Sequence, residues 1–381
     1  ALTEVHSMLQ RMNELAVQSA NGTNSSDDRQ AIQDEVDQLT TEIDRVAETT
    51  KFNEIYLLKG DNSNTKNVYM KGHDAGLKGT LTDGAKSATF TMDALQAGDK
   101  YTIAGKEYTI GSATTEVTAL IDKANTDATA DTANKTVDVN GKTYTITYNA
   151  AGNTIADADG TAITLDNLKK AVTGGSKVTY GNTSLTAMTD ADTDGVDDDD
   201  SSIITKDVAE TKIKAELLTA NNIGTVDQAA TVEDANTANG KTSYTINKGY
   251  ATVADTLSFN LHVGADADMT NKITVDIDTM NSANLGIKGI NVKDASGTEA
   301  TYAIDAIADA VAKVSSQRSA LGAVQNRLEH TIDNLDNISE NTSSAESRIR
   351  DTDMAKEMVN YSKNNILAQA GQSMLAQANQ S

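Results

Sequence analysis

The apolar residues in the first fifty positions recur at the spacing of one helix face. From Leu2 to Ala16 they step by three and four, which predicts a helix that ends near Ala20. A polar loop follows, and Asp27 is expected to cap a second helix. That second helix carries an apolar seam with heptad steps: Ile32, Val36, Leu39, Ile43 and Val46. Both helices therefore need a partner that covers their apolar faces.

The C-terminal part carries a longer seam of the same kind. It steps by four and three from Ile307 to Leu335, with polar residues at Arg318 and Gln325. A seam of this length cannot bury itself, so it predicts packing against the two N-terminal helices in a bundle that joins the chain ends. A further helix is expected to begin near Ser347, and its Ala- and Gln-rich tail should fray because it has no partner in the chain.

The middle of the chain, roughly residues 68–292, is rich in Thr, Gly, Asp and Asn and shows short alternating runs that favour strands. Three similar pieces, which begin at Ala104, Asn140 and Asn239, place a Gly-Lys pair between two such runs. Asn-Gly favours the turn in which both central residues have positive φ, so each piece is predicted to form a β-hairpin. Short helices are expected to interrupt the strands at three places: 117–124, 165–172 and 208–218.

Composition and charge narrow the classes of partner. The formal net charge of −23 disfavours nucleic acid and anionic membranes, because both repel a polyanion. The chain has no Cys, which removes disulfides, thiolate catalysis and Cys-ligated metals. It also has no Pro, which suits long regular elements. We find no signal-peptide pattern and no apolar run of membrane-spanning length.

The strongest candidate for chemistry is the acidic run that ends at Ser201. Asp190, Asp192 and Asp194 fall at positions 1, 3 and 5 of a calcium loop, and Asp198 falls at position 9. Ser201 occupies position 12, where the loop needs a bidentate carboxylate. The pattern therefore predicts weak calcium binding, and the alternative is a solvated acidic turn.

No catalytic motif is visible elsewhere. The four histidines lie apart from one another and outside any zinc-binding motif: His6, His73, His262 and His330. Neither the G-x-S-x-G nor the phosphate-binding G-x-x-x-x-G-K-[ST] pattern occurs. We therefore expect no enzymatic activity and no cofactor.

Sequence blocks at both ends resemble bacterial flagellin. At the N-terminal end these are LQRMNELAVQSAN at residues 9–21 and DRVAETTKFN at 44–53. At the C-terminal end they are SRIRDTDMAKEM at 347–358 and ILAQAGQSMLAQAN at 366–379. LGIKGINV at 285–292 is similar to the stretch where the variable region of that family returns to the rod. The middle resembles no family, as expected of the variable region of flagellins.

The resemblance implies a structural subunit that is exported unfolded and polymerises into the extracellular flagellar filament used for swimming. The implied partners are other flagellin subunits and an export chaperone that binds the C-terminal region. The implied fold class is α+β: an elongated, discontinuous helical rod, formed as an antiparallel bundle from both chain ends, with inserted all-β variable domains. Compared with the family, the chain is expected to lack the N-terminal inner helix and the last residues, and therefore to stay monomeric.

The resemblance also implies domain bounds. Four parts are expected, namely the N-terminal rod with a β-hairpin, the variable region, the C-terminal rod helix and the start of the C-terminal inner helix: 1–66, 67–293, 294–346 and 347–381. Within the variable region, the expected inner and outer subdomains have these bounds: 67–112 plus 230–293, and 113–229.

By the same resemblance, the rod is a ligand of Toll-like receptor 5. The implied receptor-contact residues are Gln10, Arg11, Leu15, Gln18 and Glu35. Arg11, Leu15 and Gln18 lie at steps of four and three, which places them on one helix face. An Arg beside an apolar anchor is typical of a binding hot spot. The alternative for Leu15 is packing inside the rod.

Two other interpretations compete with a filament subunit. One is a hook-associated junction protein or a surface adhesin that shares flagellin-like termini. The other is an enzyme, since some flagellins carry a metalloprotease in the variable region, but the zinc motif is absent here. The Phe52-Asn53 pair and the length of the matching ends favour flagellin.

Overall fold

A computed structural model describes residues 1–264 and 271–379 of the chain. Its helices are α1 (Leu2–Ala20), α2 (Ser26–Thr49), α3 (Thr114–Ala130), α4 (Leu165–Lys170), α5 (Lys206–Asn221), α6 (Ser282–Leu285) and α7 (Thr298–Ala378). Its first strands are β1 (Lys51–Phe52), β2 (Ile55–Tyr56), β3 (Asp61–Tyr69), β4 (Thr80–Asp83), β5 (Ser87–Asp93), β6 (Lys100–Ile103), β7 (Lys106–Ile110), β8 (Lys135–Val139), β9 (Lys142–Thr147) and β10 (Thr154–Asp157). The later strands are β11 (Ala162–Ile163), β12 (Lys177–Tyr180), β13 (Thr183–Thr186), β14 (Ile203–Ile204), β15 (Thr231–Val232), β16 (Asn236–Ala238), β17 (Lys241–Asn247), β18 (Tyr250–Asp255), β19 (Leu257–His262) and β20 (Lys272–Ile277).

The chain divides into two compact units. The first consists of Ala1–Asp255 and Asp278–Val314, and the second consists of Thr256–Ile277 and the chain from Ser315 onward. Helix α7 supplies residues to both units. Helices and strands are both extensive, so the predicted α+β class is confirmed.

In the first unit, α1, α2 and the beginning of α7 pack together, which confirms the predicted meeting of the chain ends. Their seam residues are buried at Leu9, Met12, Val36 and Ile307. The start of α2 differs from the prediction, because Ser25 and not Asp27 is the cap. The Ser25 hydroxyl accepts a hydrogen bond from the Asp28 amide at 3.1 Å, and the Asp28 carboxylate accepts one from the Ser25 amide at 3.2 Å.

The C-terminal seam is buried only as far as Val314. In the second unit the polar seam residues Arg318 and Gln325 are exposed, whereas Leu321 and Leu328 are half-buried. Gln317 from α7 donates a hydrogen bond to the Asp276 carbonyl of β20, which pairs with β19, at 2.9 Å. The predicted burial of the whole seam by the N-terminal helices is therefore wrong beyond Val314.

Helix α7 shows no break where a new segment was predicted at Ser347. Asp351 and Asp353, shortly after Ser347, lie inside the helix and are exposed. Their carboxylates are solvated there, and the lack of Pro leaves the backbone hydrogen-bond ladder intact. The expected boundary between residues 346 and 347 is therefore not a boundary of secondary structure.

The segment from Asp278 to Gly297 returns the chain to the bundle. The Gln33 side chain accepts a hydrogen bond from the Val292 amide at 2.7 Å and donates one to the Ile290 carbonyl at 2.9 Å. The Asp44 carboxylate accepts hydrogen bonds from the amide and hydroxyl of Ser282 at 2.7 and 2.8 Å. These two partners lie on α2, and the Ser19 hydroxyl of α1 also donates a hydrogen bond to the Val292 carbonyl, so both N-terminal helices hold this segment.

The inserted region contains an inner lobe, defined as α5 with strands β4–β7 and β14–β17. Its two sheets have the orders β15-β17-β5-β4, with β16 also on β17, and β14-β7-β6. Apolar residues on one face of α5 pack with Phe90 and Tyr244, whose rings lie 6.4 Å apart. Tyr302 of α7 joins this core and donates a hydrogen bond to Glu216 at 2.7 Å. The inner-lobe core therefore includes a side chain from the helix bundle.

The outer lobe, defined as α3, α4 and strands β8–β13, has a core of its own. Its antiparallel sheet has the order β11-β10-β9-β8-β12-β13, and α3 packs on it through a stripe that includes Val117 and Ile121. The expectation of all-β domains is wrong, because each lobe packs a helix on a sheet. The expected outer bounds of 113–229 are also too wide, since Ile204 and α5 belong to the inner core.

The three predicted hairpins and the three predicted short helices are confirmed. The hairpins join β6 to β7, β8 to β9 and β16 to β17. In each turn both central residues have positive φ, as at Asn140 (51°) and Gly141 (79°). Ala104 adopts the same conformation at 50°, although it lacks the polar side chain that usually stabilises it.

Candidate functional site: the exposed faces of the terminal helices

The polar face of α1 carries most of the predicted receptor-contact residues. Gln10, Arg11 and Gln18 are exposed, and Glu35 of α2 is half-buried. The Arg11 guanidinium donates a hydrogen bond to Glu35 at 2.8 Å and another to Glu14 at 3.2 Å. The structure thus brings Arg11 and Glu35 together across the two helices.

Two carboxylates hold Arg11 in one orientation. The hydrogen bond to Glu35, and then that to Glu14, raise the pKa of the Arg11 guanidinium. The side chain nevertheless remains 49% exposed, so part of its fork stays available to a partner. Glu14 was not predicted, although its spacing three residues after Arg11 is a signal for such a pair.

Leu15 does not lie on that exposed face. Its side chain is only 2% exposed. It lies on the same helix face as the buried Met12, three residues before it, and the buried Ser19, four residues after it. The placement of Leu15 on the surface with Arg11 and Gln18 is therefore wrong, and Leu15 packs inside the bundle. The receptor contacts themselves stay a prediction.

The C-terminal part of α7 has the opposite character, since large apolar side chains are exposed along it. They are Ile349, Met354, Met358, Val359, Tyr361, Ile366, Leu367, Met374 and Leu375. At about 100° per residue, Met354, Met358 and Tyr361 fall on one side of the helix. Leu367 and Met374 fall on nearly the opposite side. A helix that is apolar on several sides is usually buried among more than one neighbour.

The acidic run forms a loop between β13 and β14. Carboxylate oxygens of Asp190, Asp192 and Asp194 lie within 4.8 Å of one another, as one cation would require. Gly195, at position 6 of the pattern, has φ of 79°. Asp198 instead accepts a hydrogen bond from the Ala191 amide at 2.8 Å. The three carboxylates are thus brought together without the fourth, and the calcium site stays a prediction.

The histidines do not join that acidic cluster, which is the one metal-sized group found among residues 1–264 and 271–379. His73 lies 3.3 Å from the carboxylate of Asp309, which also pairs with Lys71 at 3.0 Å. Burial raises the pKa of Asp309, but the hydrogen bonds from His73 and Lys71 together outweigh that effect and lower the pKa. This group ties α7 to the loop after β3, and sequence spacing had given no sign of it.

Among the helices of the described chain, no stretch is both long and apolar enough to cross a lipid bilayer.

Family models match both ends of the chain. The model for the bacterial flagellin N-terminal helical region matches residues 1–63, and that for the bacterial flagellin C-terminal helical region matches residues 304–381. These matches cover α1, α2 and almost all of α7, which are the helices that carry the exposed faces described above.

Full-length relatives and a solved structure extend the comparison. The chain is 35% identical to a flagellin of Clostridium tyrobutyricum over 386 aligned residues, which cover 100% of this chain and 78% of that protein. It is 33% identical to a flagellin of Salmonella rubislaw, with 100% of this chain and 82% of that one covered. FliC from Burkholderia pseudomallei is 17% identical with a TM-score of 0.31, covering 86% of this chain and 95% of that one. Because the sequence matches span the whole chain, this protein belongs to the bacterial flagellin family.

Proposed function

We propose that this flagellar structural subunit polymerises through the C-terminal part of α7 into an extracellular filament that drives swimming. The carrying observation is the exposure of apolar side chains on opposite sides of that helix, such as Met358 at 63% and Leu367 at 58%. Each exposed aliphatic side chain of this size gains about 1.5–3 kcal/mol when it is fully buried. Assembly supplies that burial, and an export chaperone would cover the same residues beforehand.

The test is a substitution that adds a charge to this surface, introduced into the gene for this protein in the bacterium that produces it. Ile366→Asp should reduce filament length in electron micrographs and swimming in soft agar, because it leaves a carboxylate in an apolar contact. Asn364→Asp is the matched control, since it adds the same charge at an exposed polar position two residues away. Filaments of normal length in Ile366→Asp cells would contradict the proposal.

The same cells distinguish the junction-protein alternative. Deletion of a filament subunit should remove the filament itself. Deletion of a hook-associated junction protein should instead release another flagellin into the medium, because a junction protein would be needed only to retain it. The second outcome would replace the filament proposal with the junction role.

We infer further that the exposed face of α1 and α2 is recognised by Toll-like receptor 5. The support is the exposed guanidinium of Arg11, which Glu35 and Glu14 orient, with Gln10 and Gln18 beside it. A charged group that is oriented before binding loses less conformational freedom on contact. Leu15 supports this face from beneath.

Receptor affinity of Arg11→Ala measures this proposal directly. We expect a loss of affinity, whereas Arg45→Ala should bind normally. Arg45 is the matched control because it is also an exposed arginine that pairs with a carboxylate three residues away, Glu42, in the same bundle. Equal affinities of the two variants would remove Arg11 from the receptor site.

A further inference from the structure

An apolar cavity of about 400 Å³ lies in the first unit, where the inner and outer lobes join. Strands β7 and β13 and the linkers beside β14 form its walls. The larger apolar side chains that line it are Ile110, Leu185, Met188 and Ile203. Its volume is within the range of about 300–1,000 Å³ that is typical of small-molecule sites.

One part of the cavity lining is acidic. It consists of Asp197, Asp199 and Asp200, which lie in the second half of the same acidic run. Asp197 accepts hydrogen bonds from the amides of Thr189, Asp199 and Asp200 at 2.9–3.0 Å, and so holds the linker in place.

The other two carboxylates differ in their surroundings. Asp200 accepts hydrogen bonds from Ser202 and lies near the positive charge of Lys106. The carboxylate of Asp199 makes no hydrogen bond or ion pair with residues 1–264 and 271–379, and it is exposed. Asp199 is therefore the carboxylate most available to a ligand.

We propose that this cavity binds a primary aliphatic amine, with its alkyl chain among Ile110, Met188 and Ile203 and its ammonium at Asp199. An ionised carboxylate only accepts hydrogen bonds, and an ammonium only donates them. The ammonium is strongly hydrated, so an exposed carboxylate suits it better than a buried one. The net charge of −23 also raises the local concentration of small cations.

The probe is hexylammonium chloride, and the readout is the methyl NMR signal of Met188 in protein labelled at its methionine methyl groups. Hexan-1-ol carries the same chain without the charge, and tetramethylammonium carries a charge without the chain. We expect hexylammonium to shift the Met188 signal at a lower concentration than either of the other two. The remaining methionine signals should stay in place, since those residues do not line the cavity.

Three variants locate the site. Asp199→Asn should weaken hexylammonium about two- to fivefold, as for an exposed ion pair, and leave hexanol unchanged. Asp192→Asn is the matched control, because it removes a charge from the same acidic run outside the cavity. Ala97→Leu, which fills the cavity from a half-buried wall position, should weaken both probes, and an unchanged melting curve would show that it folds.

The proposal is overturned if hexanol and hexylammonium bind the unaltered chain equally well, or if the Met188 signal does not move. It is also overturned if Asp192→Asn weakens hexylammonium as much as Asp199→Asn does. The first result would indicate an apolar cavity without charge selection, and the last would indicate only a general attraction to the acidic surface.

Discussion

Truncation of Leu15 tests whether this residue is a packing residue or a surface contact. Its side chain is 2% exposed between α1 and its neighbours in the bundle. A buried Leu→Ala change costs about 2–5 kcal/mol, from lost burial together with the cavity left behind. Helix propensity cannot account for a loss, because Ala is the better helix former by a few tenths of a kcal/mol.

The assay is native-state hydrogen exchange of the α1 amides. A single melting curve would mix the bundle with the two lobes, which have separate cores. Exchange reports local opening of one element, so Leu15→Ala should lower the protection of α1 by the stated amount. Val17→Ala is the matched control, since Val17 is 52% exposed on the same helix and should change protection little.

Receptor binding by a third variant completes the test. Leu15→Met preserves volume and should cost less than about 1.5 kcal/mol. If Leu15 only supports the α1 face, Leu15→Met keeps its receptor affinity and Leu15→Ala loses affinity in step with the protection of α1. Unchanged protection with abolished binding in Leu15→Ala would refute the reasoning and identify Leu15 as a direct contact.

Three further predictions concern the inserted region. The ion pair with Lys142 at 2.6 Å and the amide of Thr161 lower the pKa of Asp157, so its contribution to outer-lobe stability is present above about pH 4 and is lost as the pH falls further. The difference in hydrogen-exchange protection of the outer-lobe amides between the unaltered chain and Asp157→Asn should therefore shrink from pH 6 to pH 3, and a constant difference would contradict this assignment. Gly141→Ala should lower the protection of the outer lobe by about 1–2 kcal/mol, because an Ala side chain is strained at a φ of +79° even where its Cβ has free space, and unchanged protection would count against it. Calorimetry with millimolar calcium should give a weak signal that Asp192→Asn abolishes, and an absence of heat in the unaltered chain would leave the loop a solvated turn.

The sequence alone correctly predicted the features that depend on residues close together in the chain. The extent of α1, the α2 seam and the three two-residue hairpins follow from spacing and turn chemistry within a few positions. The flagellin-like ends were also visible there, because they are long blocks of sequence. The position of Asp27 before the apolar run predicts it as the cap, but Ser25 forms both capping hydrogen bonds.

Tertiary structure decided which side of each element is covered. Leu15 and Gln18 are three residues apart on one helix, yet only Leu15 is buried. The width of the contact between α1 and its neighbouring helices determines where the buried face of α1 ends. The same limit applies to α7, whose periodic seam is buried to Val314 and increasingly exposed after it.

The sequence by itself determined the local elements, the family and the polar character of the exposed α1 face, since these depend on residues close together in the chain. Only the tertiary structure placed Gln33 on the Val292 backbone, Tyr302 in the inner-lobe core and Asp199 at a cavity. Each of these contacts joins segments far apart in the chain. No local spacing encodes such a contact, because it results from how packed elements bury their apolar surface together.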